Sequence, residues 1–147
     1  MKKIILTLSL LLLVITACSK KDDDNNGNLA ITKNNVYGNW TFSEIIRPDG
    51  TIVPYPHQCS TQNDYIFFDF IDIYMYRFKT NCENYETYRC DNYFLLENQI
   101  TGCNYVFDGT ITEFTSQRMR IEYDEVIPSN NFINPIGDVK GFIFIKQ

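Results

Sequence analysis

The segment Val36–Phe42, with the sequence Val-Tyr-Gly-Asn-Trp-Thr-Phe, decides the fold of this chain. Aromatic and β-branched side chains make up most of the segment, and such side chains pack well on the pleated surface of a strand. The same bias extends along the chain, since ten Tyr and eleven Phe occur among its 147 residues. We therefore predict the first strand of an all-β domain here.

Short extended segments alternate with turn residues downstream of that strand. Asp108-Gly109 is typical of a tight hairpin, and Arg47–Gly50 supplies the proline and glycine of another turn. The alternation of apolar and polar residues over 118–123 indicates a half-buried strand. Two prolines and three asparagines predict a long loop over 124–137. The predicted strands are 36–42, 51–53, 65–68, 73–78, 86–90, 93–96, 100–107, 110–114, 118–123 and 139–145.

We expect about eight strands in the sheet, and their regular spacing favours a barrel or a sandwich. An immunoglobulin-type sandwich carries its tryptophan between two paired cysteines, whereas Trp40 precedes Cys59 and every later cysteine. A meander of adjacent hairpins closes into an up-and-down antiparallel barrel, which leaves no exposed edges. The sequence therefore predicts one all-β domain of this architecture over residues 36–147.

Gly38 and Trp40 of the first strand resemble the G-x-W motif of the lipocalins. Over residues 36–147 the chain is similar to the small lipocalin-like lipoproteins of Bacteroidota. The resemblance implies a lipocalin-like barrel whose closed end is plugged by Trp40, beside Gly38. Lipocalins often stack a late-strand arginine on that tryptophan. In this chain Arg118 and Arg120 are the candidates, and the alternative that neither stacks on Trp40 also remains open.

The N-terminal residues have the features of a secretory signal. Lys2 and Lys3 precede the uncharged, mostly apolar run 4–16, which is shorter than the ~20 residues that a membrane-spanning helix needs. Ile15–Cys18 resembles the lipobox of bacterial lipoproteins. That resemblance implies that residues 1–17 are removed and that Cys18 is acylated.

An acylated Cys18 would make the lipid bilayer a partner of this chain. Residues 18–35 are polar and rich in turn formers, so we expect them to form a flexible tether. We expect the protein at the outer membrane. Lys21-Asp22-Asp23 resembles a surface-export signal, and both the cell surface and the periplasmic face remain open.

Four cysteines remain besides the lipidated one, namely Cys59, Cys82, Cys90 and Cys103. An even number of cysteines in an exported chain indicates disulfides. Their spacings include no C-x2-C or C-x4-C, which disfavours a zinc site. Three pairings are possible, and we prefer Cys59–Cys82 with Cys90–Cys103, because each bond would then hold neighbouring hairpins together.

The formal charge of the chain is −5. Removing Lys2 and Lys3 with the signal leaves 11 basic and 18 acidic residues, a charge of −7. Nucleic-acid binding needs a basic surface to neutralise phosphates, so we expect no nucleic-acid partner. We expect a monomer.

Enzyme chemistry is not indicated, and we expect no catalytic residue, metal or cofactor. His57 is the sole histidine and lies in a proline-rich segment, which predicts a solvated loop residue. Asp69 and Asp72 form a carboxylate pair in sequence. We expect them to be turn residues that bond their own backbone.

Aromatic side chains provide the one candidate binding surface. Tyr74, Tyr76 and Phe78 share one face of a predicted strand, and Tyr65 and Phe67 share a face of another. Exposed rings would stack on sugars, whereas internal rings would line a cavity for an apolar ligand or fill the core. An eight-stranded barrel leaves little space, so we favour a filled core.

Three functions remain open on this basis. The first is a lipocalin-like binder of a small apolar or aromatic molecule. The second is a surface module that recognises a glycan or a protein. The third is a structural protein of the envelope.

Overall fold

Residues 27–103, 107–128 and 136–147 are described by the computed structural model, with the backbone alone for residues 84–87. They contain one helical turn, α1, and ten strands. No helix among these residues is long and apolar enough to cross a membrane. The elements are α1 (Lys33–Val36), β1 (Gly38–Ile46), β2 (Ile52–Pro54), β3 (Tyr65–Phe68), β4 (Ile73–Phe78), β5 (Asn84–Cys90), β6 (Phe94–Leu96), β7 (Gln99–Thr101), β8 (Gly109–Phe114), β9 (Arg118–Ile127) and β10 (Val139–Lys146).

All ten strands belong to one antiparallel sheet in the order β5-β4-β3-β1-β10-β9-β8-β7-β6, with β2 on the edge of β1. β1 pairs with β10 along one edge, so the first and last strands are neighbours, as in a barrel. β2 and β3 follow one another along its other edge. Within the described ranges no ladder joins β5 to β6, so these strands are the two edges of a curled half-barrel. The all-β antiparallel fold predicted from the sequence is confirmed.

Large side chains fill the inner face of the sheet. In β4, Ile73, Met75 and Arg77 are buried, whereas the residues between them are partly exposed. Burial of apolar surface is the dominant favourable term in folding. The largest fully buried side chains are Trp40, Tyr93, Phe42, Phe68, Phe114, Phe142 and Phe144. The inner face is thus occupied by the protein's own rings, as in the filled core favoured by the sequence.

Several strand boundaries differ from the sequence prediction, among them the first strand, which begins at Gly38 and continues to Ile46. Two of the differences have local reasons. The strand expected over 100–107 ends at Thr101, because Gly102 adopts a φ of +95° and the Asp108 carboxylate accepts the Cys103 N–H at 2.8 Å. Residues 104–106 lie outside the described residues. The loop expected over 124–137 begins later, because β9 continues to Ile127 and pairs there with Val139. Residues 129–135 also lie outside the described residues.

The chain before β1 is packed across one end of the barrel. Residues 1–26, which include the expected signal and Cys18, lie outside the described residues. The Leu29 N–H donates to the Phe114 carbonyl at 2.8 Å, and Ile31 packs on the core. Thr32 caps α1, whose Val36 is fully buried. The coil expected up to residue 35 therefore gives way to ordered structure before β1, because Ile31 and Val36 have apolar surface to bury.

Candidate functional site

Seven aromatic side chains form a continuous row on the outer face of β3 and β4, at the loop that joins them and, with Tyr37, just before β1. We call this row the aromatic ladder. Tyr65 and Tyr76 have ring centroids 4.7 Å apart, and Tyr74 lies 6.5 Å from Tyr76. At the end of the row nearest α1, which we call its lower end, Tyr37 stacks on Phe70 with ring centroids 4.8 Å apart. The ladder consists of Phe70, Tyr37, Phe67, Tyr74, Tyr76, Tyr65 and Phe78.

Strand register creates the ladder. Tyr65 pairs with Tyr76 and Phe67 with Tyr74, so side chains from the two strands emerge on the same face. The alternate residues of β3 and β4 are buried, and the ladder residues are partly exposed. The two sets of aromatics that the sequence assigned to separate strands therefore form a single outer surface.

The opposite part of the outer surface carries charges. Arg118 forms ion pairs with Glu44 at 3.2 Å and with Glu113 at 3.1 Å. Arg120 pairs with Glu122 at 2.9 Å. These residues belong to β1, β8 and β9. The ladder is thus a feature of one side of the barrel and differs in chemistry from the charged side.

A polar cluster holds Tyr74 of the ladder in place. Its hydroxyl donates to the Asp72 carboxylate at 3.1 Å, and Arg89 donates to the same carboxylate at 2.7 Å while lying 5.4 Å from the Tyr74 ring centroid. The Asn92 N–H also donates to Asp72, and this bond is the main reason that the Asp72 pKa is lowered. The hydrogen bond to Asp72 raises the pKa of Tyr74.

Asp69 and Asp72 form the expected turn between β3 and β4. The Asp69 N–H donates to the Asp72 carbonyl at 2.9 Å, and the Asp69 carboxylate accepts the Phe70 N–H at 2.7 Å. The sequence did not indicate the additional role of Asp72 in positioning Tyr74 and Arg89. That role depends on β5, which is brought beside β4 only by the fold.

A pocket of about 330 Å³ lies next to the upper part of the ladder, the part at Tyr65 that is farther from α1. Tyr65 of the ladder pairs across the sheet with Thr41, and Thr41 pairs in turn with Ile145. The pocket therefore continues the row of outward-facing side chains that begins at Tyr76. Its lining consists of Thr41, Phe42, Ser43, Tyr55, His57, Asn63, Ile145 and Lys146.

His57 is half-buried in this pocket, contrary to the solvated loop residue that the sequence predicted. Its Nδ1 accepts the Asp64 N–H at 3.0 Å, and its ring lies 4.8 Å from that of Tyr55. Burial lowers the pKa of His57 below its ordinary value of 6.5. The neutral ring therefore carries its proton on Nε2, which makes that atom a hydrogen-bond donor.

A buried polar cluster supports the pocket from inside the barrel. The Asp64 carboxylate accepts the Tyr55 hydroxyl and the Phe78 N–H, each at 2.9 Å. Arg77, which is 3 % exposed, has its Nε 3.8 Å from the same carboxylate. The sequence did not indicate this cluster, because Asp64 and Arg77 have no pattern that distinguishes them from surface residues.

Trp40 lies at the end of the barrel that is crossed by α1. It is fully buried, and its indole N–H donates to the Val36 carbonyl at 2.7 Å. The cation above its ring is Lys146, whose Nζ lies 4.8 Å from the ring centroid. The arginine that lipocalins often stack there is not found, since Arg118 and Arg120 form ion pairs on the outer surface. Gly38 has a φ of +117°, and a Cβ there would lie 3.6 Å from Lys146.

The four cysteines are joined as Cys59–Cys82 and Cys90–Cys103, with Cα atoms 4.9 and 5.1 Å apart. This is the pairing that the sequence analysis preferred. The first bond ties the segment between β2 and β3 to the end of the β3–β4 hairpin. The second ties the end of β5, one edge of the sheet, to the segment after β7, the strand next to the other edge.

Comparison with known proteins adds similarity of fold. No protein-family model matches the chain, and no curated protein does. A lipocalin-like protein from Bacteroides uniformis matches with a TM-score of 0.53 and 16% identity, over 77% of this chain and 99% of that one. An uncharacterized protein from Bacteroides eggerthii matches with a TM-score of 0.50 and 15% identity, over 76% of this chain and 98% of that one. These similarities support a lipocalin-like fold.

Proposed function

We propose that this chain is a lipid-anchored protein of the outer membrane that binds a neutral glycan on the outside of its barrel. The aromatic ladder, with a polar pocket beside it, is the observation that carries this proposal. Glycan recognition was the second of the three functions left open by the sequence. It takes precedence here because the rings that were candidates for a cavity lining lie on the outer face.

The chemistry of the ladder suits sugar rings. Pyranose rings have apolar C–H faces that stack on aromatic side chains, and tyrosine adds a polar hydroxyl at the edge of each contact. The pocket supplies neutral polar groups, namely the hydroxyls of Thr41 and Ser43 and the amide of Asn63. Lys146 also lines the pocket, and its ammonium donates to the Asn35 carbonyl. Neutral donors and acceptors match sugar hydroxyls. The net negative charge of the chain disfavours anionic polymers.

An internal apolar ligand, as the lipocalin resemblance implies, is the second candidate. The similarity of fold supports it, and the packing of the inner face by Trp40, Phe42 and Phe68, each at most 1 % exposed, disfavours it. Native mass spectrometry of protein purified from its own host distinguishes the two. A retained apolar molecule would favour the internal site.

Anchoring at Cys18 is part of the proposal. The signal over residues 1–17 and the lipobox support it, and several acyl chains are needed for stable attachment, because one chain binds only marginally. The domain would then face either side of the outer membrane. We propose that it acts as a monomer, without enzymatic activity and without nucleic acid.

Affinity electrophoresis through gels that contain neutral or anionic polysaccharides tests glycan binding. The protein is the mature chain with Cys18→Ser, so that acylation does not interfere. We expect retardation by at least one neutral polysaccharide. Tyr76→Ala and Phe67→Ala should each weaken binding roughly three- to tenfold, since an aromatic contact contributes about 0.5–1.5 kcal/mol.

Phe94→Ala is the matched control, because Phe94 is 60 % exposed but lies outside the ladder. It should bind as the wild type does. Equal retardation of the wild type and of both ladder variants would contradict the proposed site. Failure of every polysaccharide, together with a retained apolar mass, would replace it with the internal one.

A further inference from the structure

We propose that the end of the barrel crossed by α1 rests on the bilayer, with Phe70, Ile71 and Phe94 entering its interfacial region. We call these three residues and Tyr37 the apolar end. The inference rests on the proposed acylation of Cys18. It adds a second membrane contact and a fixed orientation, neither of which follows from the anchor alone.

The apolar end exposes more large apolar surface than a stable fold requires. Phe70 is 49 % exposed, Ile71 58 %, Phe94 60 % and Tyr37 42 %. Phe70 and Ile71 are the two central residues of the four between β3 and β4, so they lie at the tip of that hairpin. Clustered exposed apolar groups of this kind mark an interaction surface.

Lys33 shows that these residues are neighbours. Its ammonium donates to the Phe70 carbonyl at 2.7 Å and to the Tyr93 carbonyl at 3.0 Å. The hairpin tip and the start of β6, with Phe94, therefore meet beside α1. Tyr37, directly after α1, stacks on Phe70.

The position of the tether selects the bilayer as the occupant of this surface. The chain reaches the barrel at Leu29, which is hydrogen-bonded to Phe114, and only ten residues, 19–28, lie between Cys18 and Leu29. A chain of that length reaches at most about 40 Å even when fully extended. An acylated Cys18 would thus hold this end of the domain next to lipid, at a high effective concentration.

Nearby charges set the depth of insertion. Asp69 binds the backbone N–H of Phe70, and Asp72 and Asp91 both pair with Arg89. These carboxylates lie behind the hairpin tip and keep a net negative charge, because Asp72 and Asp91 share one arginine and Asp69 has only a neutral donor. Shallow insertion of the tip, with aromatic rings at the level of the headgroups, keeps them in the aqueous layer.

Docking at this end would place Phe70 and Tyr37 of the ladder at the membrane and leave the rest of the proposed glycan site beyond it. β1 begins at the apolar end with Gly38 and finishes at the opposite end with Ile46. The ladder would then run from the membrane surface outward. The pocket at Thr41 and His57 would lie farther from the lipid than the hairpin tip.

Tryptophan scanning of the acylated mature protein in vesicles tests the orientation. Phe70→Trp is compared with Ile52→Trp, because Ile52 is 44 % exposed but pairs with Ile46 at the other end of β1. The vesicles contain phosphatidylethanolamine, phosphatidylglycerol and brominated phosphatidylcholine. Wild-type emission gives the contribution of Trp40. We expect bromine to quench Phe70→Trp and to leave Ile52→Trp unchanged.

A second measurement separates docking from acylation. The Cys18→Ser chain is mixed with the same vesicles. Adding Phe70→Ser should lower its partition coefficient about tenfold, the loss expected when half of a phenylalanine side chain no longer leaves water. If the wild type proves not to be acylated while the Cys18→Ser chain still partitions into the vesicles, the anchor is overturned and docking is retained. Equal quenching at the two positions, or none at Phe70→Trp, would overturn docking. So would a concentration-dependent blue shift of Phe70→Trp without vesicles, which would show a protein partner.

Discussion

Replacing Trp40 with alanine tests the packing of the closed end of the barrel. Trp40 is fully buried beside Phe114, and truncation of a large core aromatic destabilises a protein by about 3–5 kcal/mol. The Val36 carbonyl would also lose the indole N–H, and an unpaired buried group costs about 1–3 kcal/mol. Because that carbonyl lies at the end of α1, water can replace part of this bond. We therefore expect a loss of about 4 kcal/mol.

Two further variants divide this loss into its parts. Trp40→Phe keeps an aromatic ring but removes the donor to Val36, and should cost about 1–3 kcal/mol. Lys146→Met removes the cation above the ring and its bond to the Asn35 carbonyl. A contact of this kind contributes about 0.5–1 kcal/mol where it is exposed.

Urea unfolding followed by far-ultraviolet circular dichroism measures these differences without relying on the mutated fluorophore. In the wild type, emission reports on Trp40 alone, since it is the sole tryptophan. Blue-shifted emission with weak acrylamide quenching is expected. An unchanged urea midpoint for Trp40→Ala, with wild-type emission like that of tryptophan in water, would refute the reasoning.

Three other predictions concern covalent structure and pH. Labelled fatty acid should enter the wild type and not Cys18→Ser, and equal labelling would exclude acylation at that residue. Peptide mapping without reductant should recover Cys90 joined to Cys103; a crossed pair would contradict the structure. The lowered pKa of Asp72 predicts a stabilisation that is complete above the ordinary value of 3.8 and is lost as the pH falls through the lowered one. Asp72→Asn should therefore reduce the acid sensitivity of the melting temperature, and an unchanged acid profile would argue against it.

Much of the strand pattern could be predicted because local chemistry determines it. The alternation over 118–123 corresponds to β9. The tight hairpin turn predicted at Asp108-Gly109 is wrong, because Gly109 is the first residue of β8 and pairs with Ile100 of β7. Trp40 was placed in the first strand by its aromatic neighbours. These features depend on residues that are close in sequence.

The candidate site could be predicted only in part, because both faces of β3 and β4 carry large apolar residues. A period of two separates Tyr65 and Phe67 from Ile66 and Phe68, but it does not say which pair faces the core. The answer depends on β1 and on the inner rings that pack against Ile66. Burial of Arg77 depends likewise on Asp64, which lies on a different segment of the chain.

The pairing of β1 with β10 has a consequence for the order in which the sheet assembles during folding. Strands β1 to β5 are contiguous in sequence and sheet, so they can pair as soon as they emerge. The Lys146 bond to the Asn35 carbonyl spans 111 residues, and contacts of such separation form slowly. We expect the half-sheet β1–β5 and the Cys59–Cys82 bond to form first, whereas Trp40 stays accessible until the C-terminus arrives. Pulse labelling of thiols during refolding would contradict this order if Cys59 were protected after Cys103.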